Sequence, residues 1–193
     1  MARSAPLTGR RLDLVPFAPE HLSERYVGWL NDGDVVRYSE QRHRRHDLAN
    51  CRAYAERFDA SADYFWAIVA HDAGLGHIGN LTATLDPPNG VADLAILIGE
   101  KRAWGGGLGS EAFELACRYL LLERGLRKLT AGTAMDNAGM LAIMRKLGMQ
   151  PDGRRARQLL IEGREVDVVH AALFREDLLA RPAPPLTGGG RRS

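Results

Sequence analysis

The chain has 193 residues, of which 45% are hydrophobic and 26% charged, with a formal net charge of +2. Those proportions suit one globular domain with a tail, long enough to bury roughly 68–70% of its unfolded surface. The charge is small and shows no basic stripe interleaved with aromatics, which argues against nucleic acid as a partner. No run of about 18 apolar residues is present, so no membrane span is expected. The start, MARSAPLTGRRLDLVPF, carries no apolar signal region. Cys51 and Cys117 lie far apart without metal spacing and read as buried small side chains in a reducing cytoplasm.

Taken in chain order, residues 1–9 are expected to be flexible, 10–179 to form a single domain, and 180–193, rich in Pro, Gly and Arg, to be a disordered tail. RRLDLVPF (10–17) alternates and predicts a strand that Pro16 ends. APEHLSERYVGWLND spaces Leu22, Tyr26, Val27 and Leu30 as a helix. DGDVVRYSEQRHRRH reads as loop, and DLANCRAYAERFDA as a helix capped by Asp47. YFWAIVAH and HIGNLTATL predict a hairpin across DAGLG. VADLAILIG (91–99) is so apolar that it predicts a strand buried on both faces. A glycine loop and a helix to about Glu123 follow, then the strand GLRKLTAGTAM. NAGMLAIMRKLGM predicts a short helix closed by Gly148, and QLLIEGREVDVVHAALF (158–174) a final pair of strands around EGRE.

The loop RAWGGGLGSE holds the chemistry. Glycine costs about 1 kcal/mol inside a helix relative to alanine, so four glycines at a helix start need a reason. The first helical turn presents unpaired amides and a partial positive charge, and glycines let an anion approach them closely. Gly105, Gly106, Gly107 and Gly109 suit a diphosphate. A P-loop lacks its Gly-Lys-Ser/Thr ending here. The dinucleotide fingerprint lacks its third glycine, Ser110 standing there, and its βαβ context. A bare turn is the remaining plain reading.

WGGGLGSEA, then AMDNAGMLAIMRKLGM, then GREVDVVHAALFREDL, in that order, resemble the GNAT superfamily of acyl-CoA N-acyltransferases, in particular the branch that includes ribosomal-protein alanine N-acetyltransferases. The resemblance runs from Arg10 to Leu178. It implies an α/β fold: a mixed, mostly antiparallel central sheet of about six or seven strands with a splayed pair, flanked by about four helices. It implies acetyl-CoA as acyl donor, with the grip supplied by Arg102, Trp104, Gly105, Gly106, Gly107, Leu108, Gly109 and Ser110. The family's loop spacing fits in two registers, Arg102–Gly105–Gly107 or Trp104–Gly107–Gly109, and the second starts the helix at the usual distance. Asn137 matches the family's helix-starting asparagine, which contacts the cofactor arm and can equally be an ordinary N-cap. A backbone amide near Leu97 or Ile98 is implied to polarise the thioester carbonyl.

Direct attack by a primary amine then needs a proton acceptor, and Asp93 and Glu40 are the candidate carboxylates. Where many relatives carry a tyrosine as general acid, this chain has Met144, and Met140 replaces a serine of the branch. Tyr38, Tyr119 or water remain for the thiolate. Tyr38, Arg42 and Arg44, within RYSEQRHRRH, are candidates to hold an anionic acceptor. His43 and His46 lack a third metal ligand, so no metal is expected. The acceptor is expected to be a small-molecule amine, first a nucleotide-linked amino sugar, or a protein N-terminus. Dimers are common in the superfamily, so a homodimer is a further expectation. A silent acyl-CoA-binding sensor is the alternative of another class.

Overall fold

A computed structural model describes residues 5–180; the expectations for residues 1–4 and 181–193 lie outside the described residues. Alternation sets the first strand: Leu12 and Leu14 are fully buried on one face of β2 (Leu12–Pro16). Ahead of it, β1 (Leu7–Thr8) pairs with β2, Leu7 opposite Leu14, so part of the stretch expected to be flexible is a strand. Next come β3 (Tyr64–Ala70), β4 (His77–Asp86), β5 (Val91–Ile98), β6 (Lys128–Ala134), β7 (Gln150–Ile161) and β8 (Arg164–Phe174). They form one sheet in the order β1-β2-β3-β4-β5-β6-β8-β7. Every neighbour is antiparallel except β5 and β6. Eight strands exceed the expected six or seven by the short β1 at one edge.

Among the described residues six α-helices flank the sheet: α1 (Glu24–Leu30), α2 (Gly33–Val36), α3 (Leu48–Glu56), α4 (Leu108–Arg118), α5 (Ala138–Lys146) and α6 (Arg175–Leu179). The two beyond expectation, α2 and α6, are single short turns. The segment expected as loop holds α2, capped by Asp32 accepting from the Asp34 amide at 3.0 Å, and a 3-10 turn over Glu40–His43 capped by Ser39. Asp47 caps α3 as expected, accepting from the Asn50 amide at 2.7 Å.

The helices divide the core. On one face α4, the π-helical turn that continues it (Tyr119–Glu123) and α5 pack Phe113, Leu120, Ile143 and Met144 against Trp66, Ile68, Leu81, Leu94 and Leu129. On the other, α1 to α3 pack Tyr26, Trp29, Leu30 and Cys51 against Phe65 and Ala67. Thus β3 is covered on both sides. For β5 the expectation of two buried faces is corrected: Ala92 and Leu94 are buried, while Asp93 and Ala95 are exposed. β7 also begins eight residues before its expected start at Gln158. Its residues 150–158 are all exposed, at a sheet edge that tolerates Pro151 and Gly153, so no apolar period marked it.

Gly99, just past β5, is where the α1 layer meets the sheet. A Cβ there would lie 2.0 Å from Cδ2 of Trp29. Gly99→Ala is expected to cost roughly 1–3 kcal/mol through overpacking, with Tm falling by roughly 2–4 °C per kcal/mol in a thermal melt. An unchanged Tm would show that Trp29 gives way freely.

Candidate active site

β5 and β6 run together only from Val91 opposite Lys128 to Asp93 opposite Thr130, then part. Their outer neighbours keep hold: β4 follows β5 to Ile98, and β8 follows β6 to Ala134. The register tells which backbone groups face the opening. The Gly99 amide donates to the Ile78 carbonyl at 2.9 Å, so Leu97 and Ala95 bond β4 while Leu94, Ile96 and Ile98 turn their peptide edges to the gap. Likewise the Met135 amide donates to the Asp167 carbonyl at 2.9 Å, leaving Gly132 and Ala134 to face it from β6. Of the two residues expected to offer an amide, Ile98 faces the opening and Leu97 does not. The Ile98 carbonyl is taken by the Trp104 indole Nε1–H at 2.9 Å.

The glycine loop begins where β5 ends. The Trp104 amide donates to the Lys101 carbonyl at 3.1 Å, so the run of free amides starts one residue later. The amides of Gly105, Gly106, Gly107, Leu108, Gly109 and Ser110 have no hydrogen-bond acceptor among the described residues. Gly105 (φ 73°) and Gly107 (φ 80°) are left-handed, and Gly107 is the residue that starts α4. Gly109 serves packing: a Cβ there would stand 3.3 Å from Ile98 Cγ1 and 3.6 Å from Ile143 Cδ1. The loop is therefore suited to an anion through its backbone, as the glycine spacing implies.

Arg102 does not join that loop. Its guanidinium bonds Glu100, with Nε 3.0 Å from Oε1, and the Gly74 carbonyl at 3.1 Å in the β3–β4 turn. The Arg102 hydrogen bond, helped by Arg25, holds the Glu100 carboxyl down to about 2. The basic residue that grips the loop is Arg11, from near the start of the domain sequence. Glu111, buried in the first turn of α4, accepts from the amides of Arg10 and Arg11 at 2.8 Å and from Arg11 Nε at 2.8 Å. Arg11 Nη1 then donates to the Gly106 carbonyl at 2.9 Å. In a trans peptide the N–H points opposite to the C=O, so this bond turns the Gly107 amide away from Arg11. Nothing local hinted at the pairing, since the partners are about a hundred positions apart.

The residues expected to meet the acceptor lie on the segment that follows α2, near the β7–β8 hairpin. Tyr38 packs with Ala134, Ile161 and Val166. Arg37 bridges to Glu162 at 2.8 Å. Of the other candidates, Glu40 is exposed and is paired with Arg42 at 2.9 Å, while Arg42 also donates to the Ser39 carbonyl; the two satisfy each other within one turn. Arg44 is exposed. Asp93 stands at the closed end of the strand pair, accepting from the Thr130 hydroxyl at 2.5 Å. Asn137 is used within the fold, its Oδ1 capping the Met140 amide at 3.2 Å and its Nδ2 donating to Thr133 Oγ1 at 2.9 Å. Met144 is buried. Tyr119 is removed from the opening: it packs edge-on against Tyr64 and Trp66 beyond the far end of α4, where burial and its bond with Tyr64 push its hydroxyl up to about 12. Cys51 and Cys117 are both buried, and the described residues contain no group of three potential metal ligands. No helix among them is long and apolar enough to cross a membrane.

A mixed sheet whose one parallel pair parts beside a free-amide helix start defines the class: an acyl-CoA-dependent acetyltransferase. Comparison supplies the family. Residues 11–150 match the acetyltransferase (GNAT) domain, and the chain belongs to that family, whose acyl donor is acetyl-CoA. The fold is similar to that of RimL, a ribosomal-protein alpha-N-acetyltransferase solved in complex with coenzyme A. The TM-score is 0.77 at 14% identity, covering 88% of this chain and 97% of that one. It is similar to a GNAT-family acetyltransferase from Bacillus anthracis, with TM-score 0.75, 16% identity and coverage of 89% and 99%. It is also similar to a chimera of the spermidine N-acetyltransferase SpeG from Vibrio cholerae and hSSAT, with TM-score 0.73, 18% identity and coverage of 89% and 100%. At these identities the likeness is one of fold.

Proposed function

We propose that this chain transfers the acetyl group of acetyl-CoA to the primary amine of an anionic small molecule, a nucleotide-linked amino sugar. The diphosphate of the donor lies on the amides of Gly105 to Ser110, and its thioester arm lies between β5 and β6. The Ile98 amide is aimed at the thioester carbonyl. A backbone donor of this kind contributes about 2.7–4 kcal/mol to other acyl transfers. One observation carries the acceptor class: Arg37, Arg42, Arg44 and Arg45 stand within nine residues beside Tyr38, with Glu40 the one carboxylate among them. Arg42 is spent on Glu40, but Arg44 and Arg45 remain exposed, and a phosphate suits them while a polyamine is repelled.

A second reading, acetylation of a protein N-terminus, is favoured by the fold likeness to RimL. Thiol release from acetyl-CoA, followed with a UDP-linked amino sugar, an N-terminal alanyl peptide and spermidine, separates the readings. Turnover on the amino sugar alone is expected, with Arg44→Ser raising its KM about tenfold, the effect of roughly 1.4 kcal/mol of lost contact. Turnover on the peptide alone supports the second reading. Saturable acetyl-CoA binding with no turnover identifies a sensor.

A further inference from the structure

One histidine inside β8 has the geometry of a proton acceptor. His170 of β8 is opposite Gly132 of β6 and Gly153 of β7, so a glycine flanks it on each side. The ring has chosen one side. A Cβ on Gly132 would lie 2.8 Å from His170 Nδ1 and 2.8 Å from Cε1, whereas a Cβ on Gly153 would meet nothing within 4 Å. The imidazole thus leans across β6, and Gly132 is the residue whose backbone edge borders the opening between β5 and β6. Its Nε2 is buried and has no hydrogen-bond partner among the described residues. An orphaned ring nitrogen is costly to keep buried, and such costs persist where a reacting partner is to be met.

The alternatives fit less well. Asp93 is two positions nearer the closed end than Gly132 and already accepts a hydrogen bond from Thr130, and Glu40 is exposed and paired. The charged groups that the register places on the same face as His170 are Asp93 on β5, Arg155 on β7, Arg164 on β8 itself, which pairs with Asp136 at 3.2 Å, and Lys128 on β6, which pairs with Asp152 of β7 at 2.8 Å.

We infer that His170 takes the proton from the acceptor amine. This rests on the reading of the β5–β6 opening as the seat of the thioester. The acceptor arrives as an ammonium, and the imidazole removes one N–H proton. The freed lone pair forms the C–N bond to the thioester carbonyl carbon while the C–S bond breaks and its electron pair leaves on sulfur. The second N–H proton ends on that sulfur, giving the coenzyme A thiol, and the imidazolium returns its proton to water. Imidazole is the side chain able to do this near neutral pH, and such proton transfer contributes about 10²–10⁴-fold to rate.

The test compares wild type, His170→Gln, Gly132→Ala and the double variant with acetyl-CoA and the same amino sugar, peptide and spermidine, alongside acetyl-CoA titrations and thermal melts. His170→Gln is expected to lower kcat about 100-fold at pH 7. Its acetyl-CoA Kd stays unchanged, and its deficit narrows toward pH 9 as the amine loses its proton unaided. Gly132→Ala displaces the ring and should lose a similar factor, with the double variant no worse than either. His170→Gln within threefold of wild type at pH 7 overturns the role and leaves the transferase reading standing. A wild type that turns over none of the three amines sinks that reading and this role with it. If Gly132→Ala does not fold, the His170→Gln comparison decides alone.

Discussion

Replacing Gly107 with valine is expected to raise the Kd for acetyl-CoA about 100-fold, a loss of about 2.7 kcal/mol of binding. Gly107 begins α4 at φ 80°, where a β-branched residue is strained. The chain escapes that strain by rotating the Gly106–Gly107 peptide, and the rotation pulls the Gly106 carbonyl off Arg11 and swings the Gly107 amide out of the cradle. Because the loop's grip is made of backbone donors, no neighbouring side chain restores it; Arg102 is committed to Glu100 and Gly74. Calorimetric titration of acetyl-CoA reads the change, and circular dichroism confirms that α4 persists. A Kd within threefold of wild type would mean that the diphosphate is held elsewhere.

Glu111→Ala is the second large effect, and it acts on stability and binding together. The substitution strands two backbone amides and the Arg11 guanidinium, which now share one carboxylate. Each unmet donor costs about 1–3 kcal/mol when buried, but Arg11 is half exposed and recovers water, so the expected loss is on the order of 2–4 kcal/mol. Glu111→Gln keeps one acceptor and should lose less than half of that. In both variants the Gly106 carbonyl loses its fixed partner, and the KM for acetyl-CoA is expected to rise about tenfold, roughly 1.4 kcal/mol.

The carboxyl also makes stability depend on pH. Burial alone would raise the Glu111 pKa, but the hydrogen bonds and charge of Arg11, with the Arg10 amide, outweigh it and hold the group below its ordinary 4.5. A depressed folded value means the ionised form favours folding. That contribution is complete above pH 4.5 and is lost as pH falls through the folded value. Urea midpoints measured from pH 7 down to 3 should drop more for wild type than for Glu111→Ala. Parallel curves would show that the carboxylate contributes nothing.

Much of the architecture was legible because it is set by short-range rules. Leu12 and Leu14 alternate, Asp47 and Asn137 cap their helices, and Gly148 ends α5 at φ 54°. The glycines from 105 to 109 announced a helix start, and α4 follows them with Gly107 as its N-cap. Local rules are silent elsewhere. β7 is exposed along residues 150–158 and so has no period to read. Asp93 and Ala95 are exposed because the α1–α3 layer packs on β2 and β3 and meets β5 at Leu97, near its far end.

The amino-acid sequence by itself therefore determined the order of the elements and the place of the glycine loop, since both depend on contacts within a turn or a strand's alternation. Only the tertiary structure decided which charges are free and which are already paired. Arg102 turns to Glu100, Arg42 to Glu40, Arg11 reaches Gly106 through Glu111, and His170 lies across Gly132. The last two pairings join residues far apart along the chain. Sheet register and helix packing bring them within a few ångströms, and no local propensity encodes that.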